Sequence, residues 1–321
     1  MPVPTDWSFT EEAVAEPREN EVLVQILYVS LDPAMRGWMN AGTRSYMPPV
    51  GIGDVMRAGT VGRVVKSRSP KFNEGDHVYA ALGAQLYAIA PAHLLVKVDA
   101  GMAPLPTFLG TLGMTGMTAY FGLLDVGRPQ PGDTVVVSAA AGAVGMIAGQ
   151  IARIGGCRVV GIAGGAEKCR WIVEELGFSS AIDYKADDVK KALVKECPRG
   201  IDVYFDNVGG AILDAALGHL ARRARVVISG AISQYNAETA VSGPAKYLSL
   251  LVNRASMAGF VVFDYHDQFD VARQRMAGWM AAGQLKSREE LMHGLENFPE
   301  ALLKLFRGEN TGKLVLQVAG S

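Results

Sequence analysis

Hydrophobic and polar positions follow a two-residue rhythm along residues 21–29, where Val22, Val24 and Ile26 are interleaved with Leu23, Gln25 and Leu27. Residues 60–65, 77–81 and 92–98 read as further strands, and Lys71-Phe72-Asn73-Glu74-Gly75-Asp76 makes a turn between two of them. Short strands broken by Gly and Pro predict a β-rich, barrel-like domain. The rhythm changes at Pro104-Leu105-Pro106. Residues 109–124 read as a helix, stopped by Pro129-Gln130-Pro131-Gly132-Asp133. Thr134–Ser138 is a buried strand by its run of valines. Ala143–Ile154 sets Val144, Ile147, Ile151 and Ile154 on one helical stripe, closed by Gly155-Gly156. A strand at 158–162, a helix at 166–176 and strands at 201–205, 225–229 and 257–263 follow. This βαβ rhythm predicts the α/β class, a Rossmann doubly wound parallel sheet. Its domain is expected to span residues 109–263. Helices at 271–282 and 298–306 and a strand at 313–318 make a tail too short to bury a core of its own. Residues 264–321 are therefore expected to return and complete the first domain with 1–108.

Composition narrows the partners. The 321 residues carry a net charge of −1, so no charge excess points to nucleic acid or a charged membrane surface. The cluster Arg222-Arg223-Ala224-Arg225 reads as a solvated face. Cys157, Cys169 and Cys197 fit neither a disulfide framework nor a CxxC knuckle. The five histidines are scattered and no cysteine precedes Cys157, so no zinc set of about three ligands is expected. No Gly-x-Ser-x-Gly elbow supports a hydrolase. Met1-Pro2-Val3-Pro4 is not the start of a signal peptide, and the apolar run at 256–263 is too short for a bilayer. A soluble cytoplasmic protein is expected.

The strongest chemical signal is Ser138-Ala139-Ala140-Ala141-Gly142-Ala143-Val144-Gly145, set between a buried strand and an amphipathic helix. Small residues let the backbone approach a pyrophosphate, and the helix N-terminus offers unpaired N–H groups. A plain tight turn is the alternative. An NAD site places a carboxylate at the tip of the second strand. Here that tip reads Ala163-Gly164-Gly165, with Glu167 and Lys168 beyond it. A glycine-lined gap with a cation suits a 2′-phosphate, hence NADP(H), although Lys168 could equally be a solvated helix lysine.

Several motifs together resemble one family. They are Leu31-Asp32-Pro33-Ala34-Met35-Arg36, Gly113-Met114-Thr115-Gly116-Met117-Thr118-Ala119-Tyr120, Asp206-Asn207-Val208-Gly209-Gly210, Gly230-Ala231-Ile232-Ser233-Gln234-Tyr235-Asn236 and Gly308-Glu309-Asn310-Thr311-Gly312-Lys313. The chain resembles the zinc-free branch of the medium-chain dehydrogenase/reductase superfamily. Within it, the likeness is greatest to the leukotriene/prostaglandin and bacterial curcumin reductases. The resemblance implies a GroES-like substrate domain, NADP(H) as cofactor and reduction of the C=C bond of α,β-unsaturated ketones and aldehydes. It also implies a homodimer through edge strands near 259–263. It puts Ala143, Val144, Gly145 and Met146 at the pyrophosphate, and Lys168 and Tyr184 at the 2′-phosphate. Asn207, Ser229, Gly230, Ala231, Ile232, Ser233, Tyr235, Phe260, Val261, Val262 and Asn310 fall around the ribose and nicotinamide. Met114 and Thr118 are expected to line the cleft between the domains. Two departures stand out. A family segment Gly-Trp-Gln-x-Tyr reads Gly83-Ala84-Gln85-Leu86-Tyr87, which predicts a wider substrate pocket. The chain also starts late against the family pattern, so the first β-domain strand is expected to be absent or displaced.

Without a metal, the charge developing on an enone oxygen needs side-chain, backbone or ribose donors. Tyr235 is the first candidate, because a phenol with a pKa near ~10 stays protonated at neutral pH. Tyr46 and Tyr87 are weaker candidates from the β domain. A quinone or enoyl-thioester reductase and a non-catalytic NADPH-binding sensor remain as alternatives.

Overall fold

A computed structural model describes residues 1–41, 45–239, 241 and 243–320. In chain order the first stretch carries β1 (Glu21–Ser30), the one-turn α1 (Met35–Trp38), β2 (Thr60–Ser67), β3 (His77–Ala80), β4 (Tyr87–Pro91) and β5 (Val96–Lys97). The middle begins with α2 (Met114–Phe121), β6 (Thr134–Ser138), α3 (Ala143–Ile154), β7 (Arg158–Ala163), α4 (Ala166–Glu174) and β8 (Ser180–Asp183). It continues with α5 (Val189–Glu196), β9 (Ile201–Asp206), α6 (Gly210–Leu217), β10 (Leu220–Ile228), α7 (Leu248–Asn253), β11 (Ser256–Gly259) and α8 (Phe269–Ala281). The last stretch carries β12 (Glu289–His293), α9 (Phe298–Arg307) and β13 (Lys313–Gln317). Among the described residues no helix is long and apolar enough to cross a membrane.

The chain divides into two compact units, Met1–Gly110 with Glu289–Ser321, and Thr111–Arg288. The first holds a sheet in the order β12-β13-β1-β2-β3-β5, with β4 also paired to β1. The tail thus enters this sheet through β13, which runs antiparallel to β1. The Lys313 ammonium, buried at the head of β13, is held by the Leu31 carbonyl (2.6 Å) and Asp32 Oδ1 (2.7 Å). Residues 264–288, expected with the first domain, group with the second unit instead. The reason is α8, whose Phe269, Ala272 and Met276 are buried. Phe269 stacks on Phe121, and Arg273 Nε donates to the Leu112 carbonyl at 3.1 Å.

The second unit holds a sheet in the order β11-β10-β9-β6-β7-β8, parallel throughout. Every residue of β6 is buried, as a central strand covered on both faces requires. From β6 the chain winds outward through β7 to β8, then crosses to β9 and winds the other way. The strand order therefore reverses beside β6, where open α/β sheets bind ligands at their carboxyl ends.

Some expected elements differ. The strand at 92–98 divides into a 3₁₀ turn, Ala92–Leu94, and the short β5, because Leu95 N–H closes back on the Ala92 carbonyl (3.3 Å). The helix expected from 109 starts only at Met114, after Gly113 in extended conformation, and widens into a π turn over Gly122–Gly127. The strand expected to reach 263 ends at Gly259, and Val262–Gln268 is a 3₁₀ segment.

Candidate functional site

Two turns follow the central strands β6 and β7. After β6 the chain bends at Ala139 (φ 48°), and the Gly142 N–H closes on the Ala139 carbonyl at 2.9 Å. No side chain caps α3. Its first N–H groups lie beyond the reach of intrahelical bonds, which makes them donors for an anion. Gly142, Ala143 and Val144 are half-buried and accessible, while Gly145 is buried against the turn. A Cβ at Gly145 would stand 2.3 Å from the Ala139 carbonyl oxygen, so only glycine lets the helix close this tightly. Met146 does not belong with these residues. It is fully buried in the core, and its N–H is spent on the Gly142 carbonyl (2.9 Å).

After β7, Gly165 takes φ 97° and its N–H donates to Asp183 Oδ1 at 2.8 Å. The same oxygen accepts the Lys185 N–H at 3.0 Å. The ring of Tyr184 lies over Gly164, where a Cβ would come within 2.8 Å of it. Lys168 is half-buried in the first turn of α4. The β7 tip, Gly165, Lys168 and Tyr184 thus form one corner of the sheet's edge. Burial, then Asp183 and Asp187, push the nearby Cys169 thiol up to about 11.

On the other side of β6 stands a residue that sequence reasoning missed. Asp206, buried at the end of β9, accepts at Oδ1 from Ser138 Oγ (2.9 Å), Tyr204 Oη (3.0 Å), Val208 N (3.0 Å) and Gly209 N (3.1 Å). Asn207 completes the latch: its N–H donates to Ser138 Oγ and its Nδ2 to the Ser138 carbonyl, both at 2.8 Å. Burial, reinforced by the Asp206 charge, holds the Tyr204 phenol well above its ordinary pKa. The available signal was a pair of polar residues, Ser138 and Asp206, ending two apolar strands.

The 206–208 turn in turn carries the segment 229–235. Ser229 and Gly230 donate to the Asp206 carbonyl (2.8 and 3.1 Å), Ile232 to Asn207 (3.2 Å), and Ser233 N and Oγ to Val208 (3.2 and 2.6 Å). The Tyr235 hydroxyl accepts the Ala231 N–H at 3.1 Å, which leaves its own proton to donate. Phe260 is pressed onto Gly122, where a Cβ would meet its ring at 2.5 Å, and Val261 and Val262 follow it half-buried. Met114 and Thr118 share one half-buried face of α2, and the Thr118 hydroxyl donates to the Met114 carbonyl (2.8 Å). Tyr46, Tyr87 and Asn310 belong to the first unit. Tyr46 is 58% exposed. The Tyr87 hydroxyl accepts from Gln25 Nε2 (3.2 Å), and Asn310 Nδ2 donates to the Gly312 carbonyl (3.0 Å).

Comparison with known proteins fits this geometry. Residues 1–98 match the family described as N-terminal domain of oxidoreductase, and residues 143–278 the family described as zinc-binding dehydrogenase. The NADPH-dependent curcumin reductase of Escherichia coli (strain K12) is 45% identical over 99% of this chain and 94% of its own length. The chain belongs to the medium-chain dehydrogenase/reductase superfamily. Within that superfamily its likeness runs to the 2-alkenal reductase (NADP(+)-dependent) of Nicotiana tabacum, 41% identical over 94% of this chain and 88% of that protein. The crystal structure of CurA in complex with NADPH from Vibrio vulnificus superposes with a TM-score of 0.94, at 42% identity, over 100% of this chain and 96% of that one. Against the zinc-binding description of one superfamily match, no three or more His, Cys, Asp or Glu among the described residues stand together as a metal-ligand group.

Proposed function

We propose that this chain is an NADPH-dependent reductase of the C=C bond of α,β-unsaturated ketones and aldehydes. The backbone donors at Gly142, Ala143, Val144 and Gly145 hold the pyrophosphate at the uncapped start of α3. Lys168 and Tyr184 hold the 2′-phosphate, and Asn207 with the 229–235 segment holds the ribose and nicotinamide side. The residues fit the group: an anion-ready helix start, a β7 strand that ends on no carboxylate of its own, and a cation lie along one sheet edge. When bound, NADPH supplies a hydride to the β-carbon of the alkene.

The observation that carries the reading is the Tyr235 hydroxyl, whose oxygen is engaged by the Ala231 N–H and whose proton is left to donate. Accepting that N–H polarises the phenol, which then donates to the oxygen where charge develops or delivers the α-carbon proton. Tyr235→Phe is expected to lower kcat on alkenones about a hundredfold, with a much smaller loss of NADPH affinity, read by fluorescence titration, from the Ala231 N–H left without its partner. Equal turnover would remove Tyr235 from the chemical step. A panel of alkenones, alkenals and quinones assayed for NADPH oxidation separates this reading from a quinone reductase.

The chain is further proposed to work in the cytoplasm as a homodimer. Supporting the dimer, β11 is an exposed edge strand with Met257 on it, and Leu251 and Val252 of α7 are exposed just before it. Sedimentation of Met257→Lys as a monomer, against a dimeric parent, is the expected result.

A further inference from the structure

The amino ends of the parallel strands form the edge of the second unit's sheet opposite the turns after β6 and β7. Arginines gather there from four stretches of chain, residues 127–133, 155–158, 196–202 and 219–225. Sequence alone places Arg222, Arg223 and Arg225 together, and folding adds Arg128, Arg158 and Arg199. Arg225 Nε donates to the Gly127 carbonyl (2.9 Å) and Nη2 to Asp133 Oδ2 (2.5 Å). It therefore spans the start of β9, which lies between β10 and β6. Arg199 Nη2 reaches the Gly132 carbonyl in the same loop (3.4 Å). Gly200, at φ 85°, lies so close to β10 that a Cβ would stand 2.8 Å from the Ala221 nitrogen.

Between Leu220 and Arg225 the register of β10 on β9 slips, because Leu220 pairs with Ile201 and Arg225 with Val203. The extra residues bulge, with Ala224 buried and Arg222 and Arg223 exposed. Arg223 takes φ 66°, a backbone that residues other than glycine rarely adopt. The three carboxylates of these stretches are engaged: Asp133 by Arg225, Glu196 by Arg158 (3.6 Å) and Asp202 by the Thr134 N–H (2.8 Å). Six arginines thus stand against three carboxylates, in a chain whose net charge is −1. Arg128, Arg222 and Arg223 are exposed, and among the described residues no hydrogen bond or ion pair holds their side chains.

Arginine forks match phosphate oxygens two at a time. One exposed ion pair gains little after screening, so a lone phosphate would not stay. A chain of phosphates engages several forks at once. Among the described residues no exposed large apolar or aromatic side chain lies in the four stretches. Nothing here stacks bases or enters a bilayer. We infer that this edge docks a linear inorganic polyphosphate, away from the dinucleotide turns and independently of the reduction proposed above.

Fluorescence anisotropy of the full chain with end-labelled linear polyphosphate tests the docking. Affinity is expected to fall about tenfold between about 50 and 200 mM salt, as the release of some two or three counterions requires. The triple variant Arg128→Gln/Arg222→Gln/Arg223→Gly is expected to bind about tenfold more weakly at the lower salt, the summed worth of three exposed ion pairs. Glycine accommodates the φ of Arg223, so the variant should keep the parental melting temperature and NADPH affinity. Polyglutamate, a single-stranded oligodeoxynucleotide and vesicles of anionic phospholipid, each added at equal charge, should leave most of the polyphosphate bound. Absent or salt-insensitive binding by the parent, undiminished binding by the variant, or displacement by any one of the three competitors overturns the inference. If the variant unfolds, the salt dependence and the competition still decide it.

Discussion

The turns after β6 and β7 are built on one plan at two depths. Each joins a parallel strand to a helix, and each is latched by a carboxylate from the end of a neighbouring strand. For β6 the latch is Asp206 from β9, fully buried, binding Ser138 and the 208–209 backbone. For β7 it is Asp183 from β8, half-buried, binding Gly165 and Lys185. The first turn works through steric fit and backbone donors. The second works through charge and an exposed ring. The difference implies that changes at the first turn abolish binding of any dinucleotide, while changes at the second alter which dinucleotide is preferred.

The largest effect is expected at Gly145→Val. Its Cβ would press on backbone, at 2.3 Å from the Ala139 carbonyl, and not on a side chain able to swing away. Overpacking of this kind costs about 1–3 kcal/mol and would push α3 off the turn. Affinity for NADPH and NADH should vanish together in fluorescence titrations. A variant that still bound either dinucleotide with parental affinity would show that the tight closure is dispensable.

Asp206→Asn comes next. The amide would aim a donor at the donors of Val208 or Gly209, in a place closed to water. One unsatisfied buried group costs about 1–3 kcal/mol. Thermal unfolding should therefore shift down by several degrees, with a rise in KM for NADPH because Asn207 and the 229–235 segment hang on the same turn. An unchanged melting temperature would mean that the network is slack.

Legibility in the sequence follows the same division. The β6 turn could be read because its cause is local: a valine run, a stretch of small residues and a 3.6-residue stripe lie end to end. Ala143–Ile154 is the helix that the stripe predicts. The latch could not be read in the same way, since Ser138 and Asp206 are 68 residues apart and meet only because β6 pairs with β9. Likewise, a helical stripe over 271–282 says that α8 buries a face but not which unit supplies the surface. That depended on Phe121 and Leu112 being there to receive it. β4 carried little signal because it lies largely open beside β1. Met146 was misplaced because a motif counts positions, whereas the helix turns its fourth residue into the core.

At the second turn, Lys168→Ala removes a cation from the proposed 2′-phosphate corner. NADPH should lose about ten- to a hundredfold in kcat/KM, the worth of a charge-assisted contact, while NADH stays level. The two dinucleotides would then be nearly equal substrates. A retained preference for NADPH would shift the selectivity onto Tyr184 and the backbone at Gly165.

The smallest effect, and the sharpest test of the comparison, is expected at Asp183→Asn. The asparagine Oδ1 can still accept from Gly165 and Lys185, so the turn keeps its latch and loses only a charge. That contrasts with Asp206, whose second oxygen is also met by the Gly209 N–H, so that an amide nitrogen there would face a donor in a buried place. The Asp183 field already reaches α4, since it helps raise the Cys169 thiol. A negative charge so placed opposes a 2′-phosphate, and removing it should lower KM for NADPH by a factor of about two, the size of a solvent-screened charge pair. KM for NADH should not move. If Asp183→Asn instead destabilised the fold as much as Asp206→Asn, depth would not be what separates the two turns, and the latch at β7 would be structural in the same sense as the latch at β6.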